Sequence, residues 1–244
     1  MIAKLLLEID NIHKIDGRSA SLFQGVLMEK IAREYGEILH QNGWKPYSSS
    51  IISMGETLQW EICTLNKEAK AQILLPLLEE NFHEIYLEKK QATLQILGKQ
   101  FFEMSYDTLL KQEYFHVGTR YLTLHFRTPT AFKQQGNYVF YPDIRLIFQS
   151  IMNKYDAVAE QSSIFSEEVL EQLVKNIYIT SYQLRSTKFC LEGIKIPSFI
   201  GKIRIKVNGP QMLVNLVNFL LVFGQYSGVG IKSSIGMGKI LVER

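Results

Sequence analysis

The sequence predicts an α+β protein: two tandem ferredoxin-like domains, each of order βαββαβ, with a C-terminal glycine-rich loop. Three observations carry the prediction. Through the first half, apolar periodicities run strand, helix, two strands, helix, strand, the ferredoxin-like order. The second half repeats helix, strands, helix, strand. The chain has 244 residues and is 46% hydrophobic, a natural size for two domains of about 120 residues.

Residues 2–9 read as a strand through Leu5, Leu6, Leu7 and Ile9. Residues 18–41 read as one helix, because Phe23, Leu27, Ile31, Tyr35 and Ile38 recur on one face, and Asn42-Gly43 ends it. Residues 46–54 and 57–65 read as strands joined by a turn at Gly55-Glu56. Residues 67–81 read as a second helix with Ile73, Leu74, Leu77 and Leu78 as its stripe, and 84–97 as strand. A second pass starts with a strand at 121–126. Pro129, Gly136 and Pro142 then mark turns around 130–140. Residues 143–156 read as helix, 161–175 as helix or loop, and 177–184, 189–196 and 198–207 as strands. A helix over 208–223 has Gly224 in the stop position, and 240–242 closes as a strand. The expected domains are 1–124 and 125–244.

Composition excludes several classes. No apolar run approaches the ~20 residues of a membrane span, and the first residues lack the pattern of a secretory signal. Cys63 and Cys190 form no C-x-x-C pair, which suits a reducing cytoplasm and small buried hydrophobes rather than a disulfide framework. No two of the five histidines have metal-ligand spacing, so neither a metal nor a cofactor is expected. Net charge is +3, unevenly placed. Residues 1–125 carry 13 Lys and Arg against 16 Asp and Glu, and residues 126–244 carry 14 against 8. A basic second half fits a polyanionic partner.

The run GVGIKSSIGMG at 228–238 is the most informative stretch. Two Gly-x-Gly pairs, Gly228/Gly230 and Gly236/Gly238, flank Lys232, Ser233 and Ser234. Glycine permits positive φ and close backbone approach, so amides can face an anion that a lysine and two hydroxyls would help hold. It is neither a Walker loop nor a dinucleotide fingerprint, since a helix precedes it and a strand follows. A plain turn that lets the last strand pack is the simpler alternative. Order and spacing here resemble the glycine-rich signature of the CRISPR-associated endoribonucleases that cut repeat RNA, within the repeat-associated RNA-binding superfamily of ferredoxin-like proteins.

A second stretch, LHQNGWKPYSSS at 39–50, resembles the same family after its first helix, where Leu-His is followed by Gly and by Lys-x-aromatic entering a strand. The resemblance implies that His40 is the catalytic residue and that Lys45 matches a basic residue supporting the transition state in some members. Counted by helical turns, His40 shares a polar face with Gly36, Arg33 and Glu29, so it should be exposed at a helix end. Histidine changes charge near neutral pH and can give or take a proton. A histidine that merely caps the helix is the alternative. A tyrosine that some members carry earlier in the first helix has no counterpart in Phe23-Gln-Gly-Val26, which leaves the general base open. Tyr47 is the nearest phenol, and Lys30 a second candidate cation. The alternatives are a solvated surface residue for Lys30 and packing for Tyr47.

Strand alternation puts Lys202, Arg204 and Lys206 on one face, about 7 Å apart, and Ile203, Ile205 and Val207 on the other. Such a row matches a phosphate backbone, or else a lysine-rich edge that deters aggregation. Arg127 and Lys133 resemble the family's segment opening the second domain. Tyr138, Phe140 and Tyr141 offer stacking surfaces or core.

The resemblance implies a metal-independent endoribonuclease that cuts precursor CRISPR transcripts within each repeat, with CRISPR repeat RNA as its partner. Other effector-complex subunits and a second copy of the chain stay open as further partners. A non-catalytic RNA-binding subunit would share the loop and basic strand without needing His40. A ferredoxin-like small-molecule sensor would explain the fold and loop but not the basic strand.

Overall fold

The computed structural model describes residues 1–41, 43–159 and 163–244, excepting the side chain of residue 18. The expected helix stop at Asn42 and the first residues of the 161–175 segment lie outside the described residues. The chain forms two compact units: Met1–Met104 with Ser233–Gly236, and Ser105–Lys232 with Met237–Arg244. The boundary expected at 124/125 falls inside a continuous strand.

The N-terminal unit is built on β1 (Ile2–Asp10), α1 (Ala20–Lys30), α2 (Arg33–Gln41), β2 (Tyr47–Ser53) and β3 (Thr57–Thr64). It continues through α3 (Lys67–Ala69), a π-helical turn (Lys70–Leu74), α4 (Leu75–Leu78), β4 (Glu84–Leu87) and β5 (Ala92–Met104). The antiparallel order β2-β3-β1-β5-β4 is the ferredoxin-like arrangement with one short strand added at its edge. Leu5, Leu7 and Ile9 point into the core beside Trp60, which stacks edge-on against Phe23 at 5.1 Å. Trp60 satisfies its one donor by giving Nε1–H to Ser49 Oγ at 2.9 Å, as a buried indole must.

Two helices replace the single one expected over 18–41. Ile31 is extended, with φ −90 and ψ 150, and α2 restarts after it. The restart resets the helical phase, so Leu39 is buried and Ile38 lies in solvent, contrary to the expected stripe. The π turn has a local cause. Pro76 has no N–H and its ring crowds the preceding turn, so Leu75 N–H bonds five residues back, to Lys70 O.

The C-terminal unit comprises α5 (Tyr106–Glu113), β6 (Tyr121–Thr130), the hairpin β7 (Phe132–Gln134) and β8 (Asn137–Val139), and α6 (Ile144–Asp156). It then runs α7 (Glu167–Asn176), β9 (Ile177–Leu191), β10 (Ile194–Val207), α8 (Gln211–Ser227) and β11 (Ile240–Glu243). Its sheet order, β11-β6-β10-β9, is again ferredoxin-like. Tyr155 of α6 packs edge-on against Phe219 and Phe223 of α8, both at 5.4 Å.

Three local expectations change here. The strands expected at 177–184, 189–196 and 198–207 are one long hairpin, β9–β10, turning at Glu192-Gly193. Pro129, expected at a turn, lies inside β6, near the register shift at Phe199/Gly201 of β10 where a ladder tolerates proline. Gly224, expected to stop α8, sits within it. A Cβ there would stand 3.0 Å from Ile151 Cδ1 and 3.2 Å from Ile240 Cδ1, so this glycine serves close packing. The helix ends at Gly228, with φ +67. Among the described residues no helix is long and apolar enough to cross a membrane.

Candidate functional site

In the N-terminal unit α2 buries Tyr35, Gly36 and Leu39 and leaves His40 exposed in its last turn. The polar face expected to join His40 to Gly36 and Glu29 is not formed, because Gly36 is buried and Glu29 lies on α1, before the break at Ile31. The chain then passes through Trp44 and half-buried Lys45 into β2. Tyr47, the first residue of β2, is only 2% exposed. Its hydroxyl accepts from Gln24 Nε2 at 2.8 Å and is hydrogen-bonded to Ser234. Burial pushes the Tyr47 phenol above its usual range, against the pull of those two bonds. A phenol so enclosed holds neighbours in place rather than collecting protons from solvent.

The bond to Ser234 is the observation that organises this unit. Ser233–Gly236, the tip of the glycine-rich stretch, packs on α1 and β2 and belongs to the N-terminal fold. Ser233 and Ser234 are largely buried there, while Lys232 just before them is exposed with φ +56. Tyr47 thus fastens the Ser233–Gly236 segment to the strand that follows His40 and Lys45.

Sequence reasoning missed two residues here. Gln24 stood out only as part of a segment without tyrosine, yet it holds Tyr47. Tyr35 was read as core, and its buried hydroxyl has no hydrogen-bond partner among the described residues. Burial, then the charge of Glu68 and the neighbouring Tyr47, push its pKa up to about 12. Nothing in a linear pattern flags either, because both act through contacts distant in sequence. Lys30 lies elsewhere on α1, its ammonium 5.4 Å from the Phe82 ring that Lys99 also faces.

The four glycines adopt the positive φ their pattern predicts, from +67 to +119. Their amide environment differs from the expected open cradle. Val229 N–H bonds Gly238 O, Gly230 N–H bonds Ser150 Oγ, Ile231 N–H bonds Ala131 O, and Gly238 N–H bonds Pro129 O. The glycines therefore allow backbones to meet. A Cβ at Gly230 would lie 2.3 Å from Ala131 O, and one at Gly238 2.0 Å from Val229 O. Beneath the start of the stretch, Lys154 of α6 donates from Nζ to Ser227 O at 3.2 Å and Gly228 O at 3.0 Å. Its stem is partly exposed, but the amine points into the end of α8, where desolvation pulls its pKa down to about 7. It caps carbonyls that the end of α8 leaves open.

The basic strand is arranged as alternation predicts. Lys202 and Arg204 are exposed and Lys206 half-buried, while Ile203, Ile205 and Val207 are buried beneath. Arg127 is exposed on β6 and Lys133 on β7. Tyr138, Phe140 and Tyr141 are all solvent-facing rather than core. Among the described residues no three His, Cys, Asp or Glu side chains stand close enough to hold a metal ion.

Residues 124–240 match the family model of the CRISPR-associated endoribonuclease Cas6. A Streptococcus thermophilus protein named CRISPR-associated endoribonuclease Cas6 is 36% identical over 221 residues, covering 91% of this chain and 90% of the relative. The chain belongs to the Cas6 family. A Mycobacterium tuberculosis Cas6 is 34% identical over 90% of this chain and 70% of its own length. Among solved structures, a Thermus thermophilus Cas6 in a product complex superimposes with a TM-score of 0.81 at 20% identity, covering both chains fully. A Cas6-related protein from Pyrococcus furiosus gives 0.59 at 11% identity, over 100% of this chain and 99% of its own. At such identities the structural likeness speaks for the fold, which in Cas6 neighbours is likewise a pair of ferredoxin-like domains.

Proposed function

We propose that this Cas6-family chain cleaves precursor CRISPR RNA within its repeats, in the cytoplasm, without a metal ion. The observation that carries the reading is the exposed His40 at the end of α2, in the same unit as Lys45, Tyr47 and the Tyr47-bound Ser233–Gly236 segment. The names of its relatives, which are RNA-cleaving enzymes, support it.

The chemistry is transesterification. The ribose 2′-hydroxyl loses its proton and its oxygen attacks the adjacent phosphorus. The bond to the 5′-oxygen breaks, and that oxygen takes up a proton. The products are a 2′,3′-cyclic phosphate and a 5′-hydroxyl. His40 delivers the proton to the leaving oxygen or takes the one from the 2′-hydroxyl. Lys45 offsets charge that grows on the phosphoryl oxygens. Lys232, exposed beside the buried serines, and the row Lys202, Arg204 and Lys206 supply cations for the phosphate backbone. Burial of Tyr47 supports a positioning role for it, and the cation–π contact over Phe82 supports the same for Lys30.

The test is a CRISPR repeat RNA from the same genome, with a single 2′-deoxynucleotide at the cut site. It should bind like the all-ribose RNA and resist cutting. Cleavage of the deoxy-substituted position would overturn the mechanism. Tight binding with no cutting of either RNA would leave a guide-holding subunit.

A further inference from the structure

The open face of the C-terminal sheet, opposite its helices, carries a pattern that the cleavage chemistry does not use. Antiparallel partners share a face, so the register sorts its side chains into rows. Tyr121, Lys206 and Tyr178 form one row across β6, β10 and β9. Thr123, Arg204 and Ser181 form the next, and His125, Lys202 and Gln183 the third. The third row lines one side of an open groove of about 560 Å³, whose lining also includes Arg127 and Arg185.

Two properties of this face point to one ligand. Tyr121 is 60% and Tyr178 51% exposed, so both rings stand in solvent on the face that carries the cations. Lys206 holds its ammonium over the Tyr121 ring, 5.8 Å from its centroid, so ring and cation form one patch. The charge is also one-sided. Lys202, Arg204 and Lys206 climb the central strand, Arg127 and Arg185 flank its end, and the acidic group of these rows, Glu243, lies 2.9 Å from His125 Nε2.

We infer that this face is a platform for single-stranded RNA, with bases stacking on Tyr121 and Tyr178 and phosphates tracking Lys206, Arg204 and Lys202 toward the groove. The inference rests on RNA being the ligand of the chain. A duplex buries its base faces in its own stack and is read through backbone and shape, so it would leave both rings idle. An unpaired strand offers a π-face at every base and uses rings and cations together. The platform would hold the unpaired part of a repeat transcript while the cleavage site acts elsewhere along it.

The probe is a fluorescein-labelled U12 oligonucleotide, free of structure and of repeat sequence, titrated against the full chain by anisotropy. Wild type should bind it, and Tyr121→Ala/Tyr178→Ala should weaken binding by tenfold or more, on the order expected for lost stacking. Arg204→Gln should weaken it less, with a salt slope shallower by about 0.7. A blunt RNA duplex should bind wild type and the double variant alike. Thermal melting of each variant checks that the sheet persists, and Tyr121→Phe/Tyr178→Phe should restore U12 affinity. Unchanged U12 affinity in the alanine variant overturns the platform, and so does a wild type that binds no U12. Either result leaves the His40 reading intact if the same wild type cuts repeat RNA. Conversely, a wild type that cuts no repeat RNA but shows the tyrosine-dependent U12 binding loses the cleavage reading and keeps this one.

Discussion

His40→Ala is expected to slow cleavage of repeat RNA by about 10²–10⁴-fold while leaving its dissociation constant within a few-fold. The size is that of removing one general acid–base group. The side chain lies in solvent on the last turn of α2. Truncating it removes no packing, so the melting temperature should not move beyond the range of a surface substitution, about 0.5 kcal/mol. Single-turnover cleavage alongside anisotropy separates the two effects. A fall in rate that tracks a fall in affinity would place His40 in binding rather than in proton transfer.

The largest stability effect is expected at Gly238. A Cβ there would stand 2.0 Å from Val229 O, and the residue holds φ +73, a region that side chains rarely adopt. Its own groups tie the stretch together: its carbonyl accepts from Val229 N–H at 2.8 Å and its N–H bonds Pro129 O at 3.0 Å. Gly238→Ala must push that pairing apart just before β11, at a cost of several kcal/mol on the order of the severe class of substitutions. Gly25 is the contrast. It is exposed in α1 with nothing within 4 Å of an added Cβ. Gly25→Ala should stabilise by roughly 0.5–1 kcal/mol through helix propensity alone. Denaturant melts of the two variants, read side by side, distinguish a glycine needed for contact from one merely tolerated. A Gly238→Ala protein as stable as wild type would contradict the close-packed account of the loop.

What the sequence made legible was whatever rests on local periodicity. Alternation in 202–207 placed three cations on one face, and the exposure of His40 was expected, although the turn count behind it ran through a break in the helix. The two ferredoxin-like passes followed from element order alone. What stayed hidden depends on contacts far apart in the chain. The break at Ile31 has no glycine or proline to announce it, and it moved burial from Ile38 to Leu39. Gly224 looks like a helix stop until Ile151 and Ile240 are seen against it. The glycine pattern predicted positive φ correctly. It could not disclose that the loop's amides bond Ala131, Pro129 and Ser150, nor that its tip is fastened by Tyr47 and, through Tyr47, Gln24. Those are nonlocal partners that no spacing rule encodes. The same residues that invite an anion-cradle reading are those that let one backbone lie against another.

The most direct measurement is the mass of the cleavage products formed by wild type in excess EDTA. The account predicts undiminished cutting, with one fragment ending in a 2′,3′-cyclic phosphate and the other beginning with a 5′-hydroxyl. Cutting that stops in EDTA and returns with a divalent cation, or fragments bearing a 5′-phosphate, would contradict it.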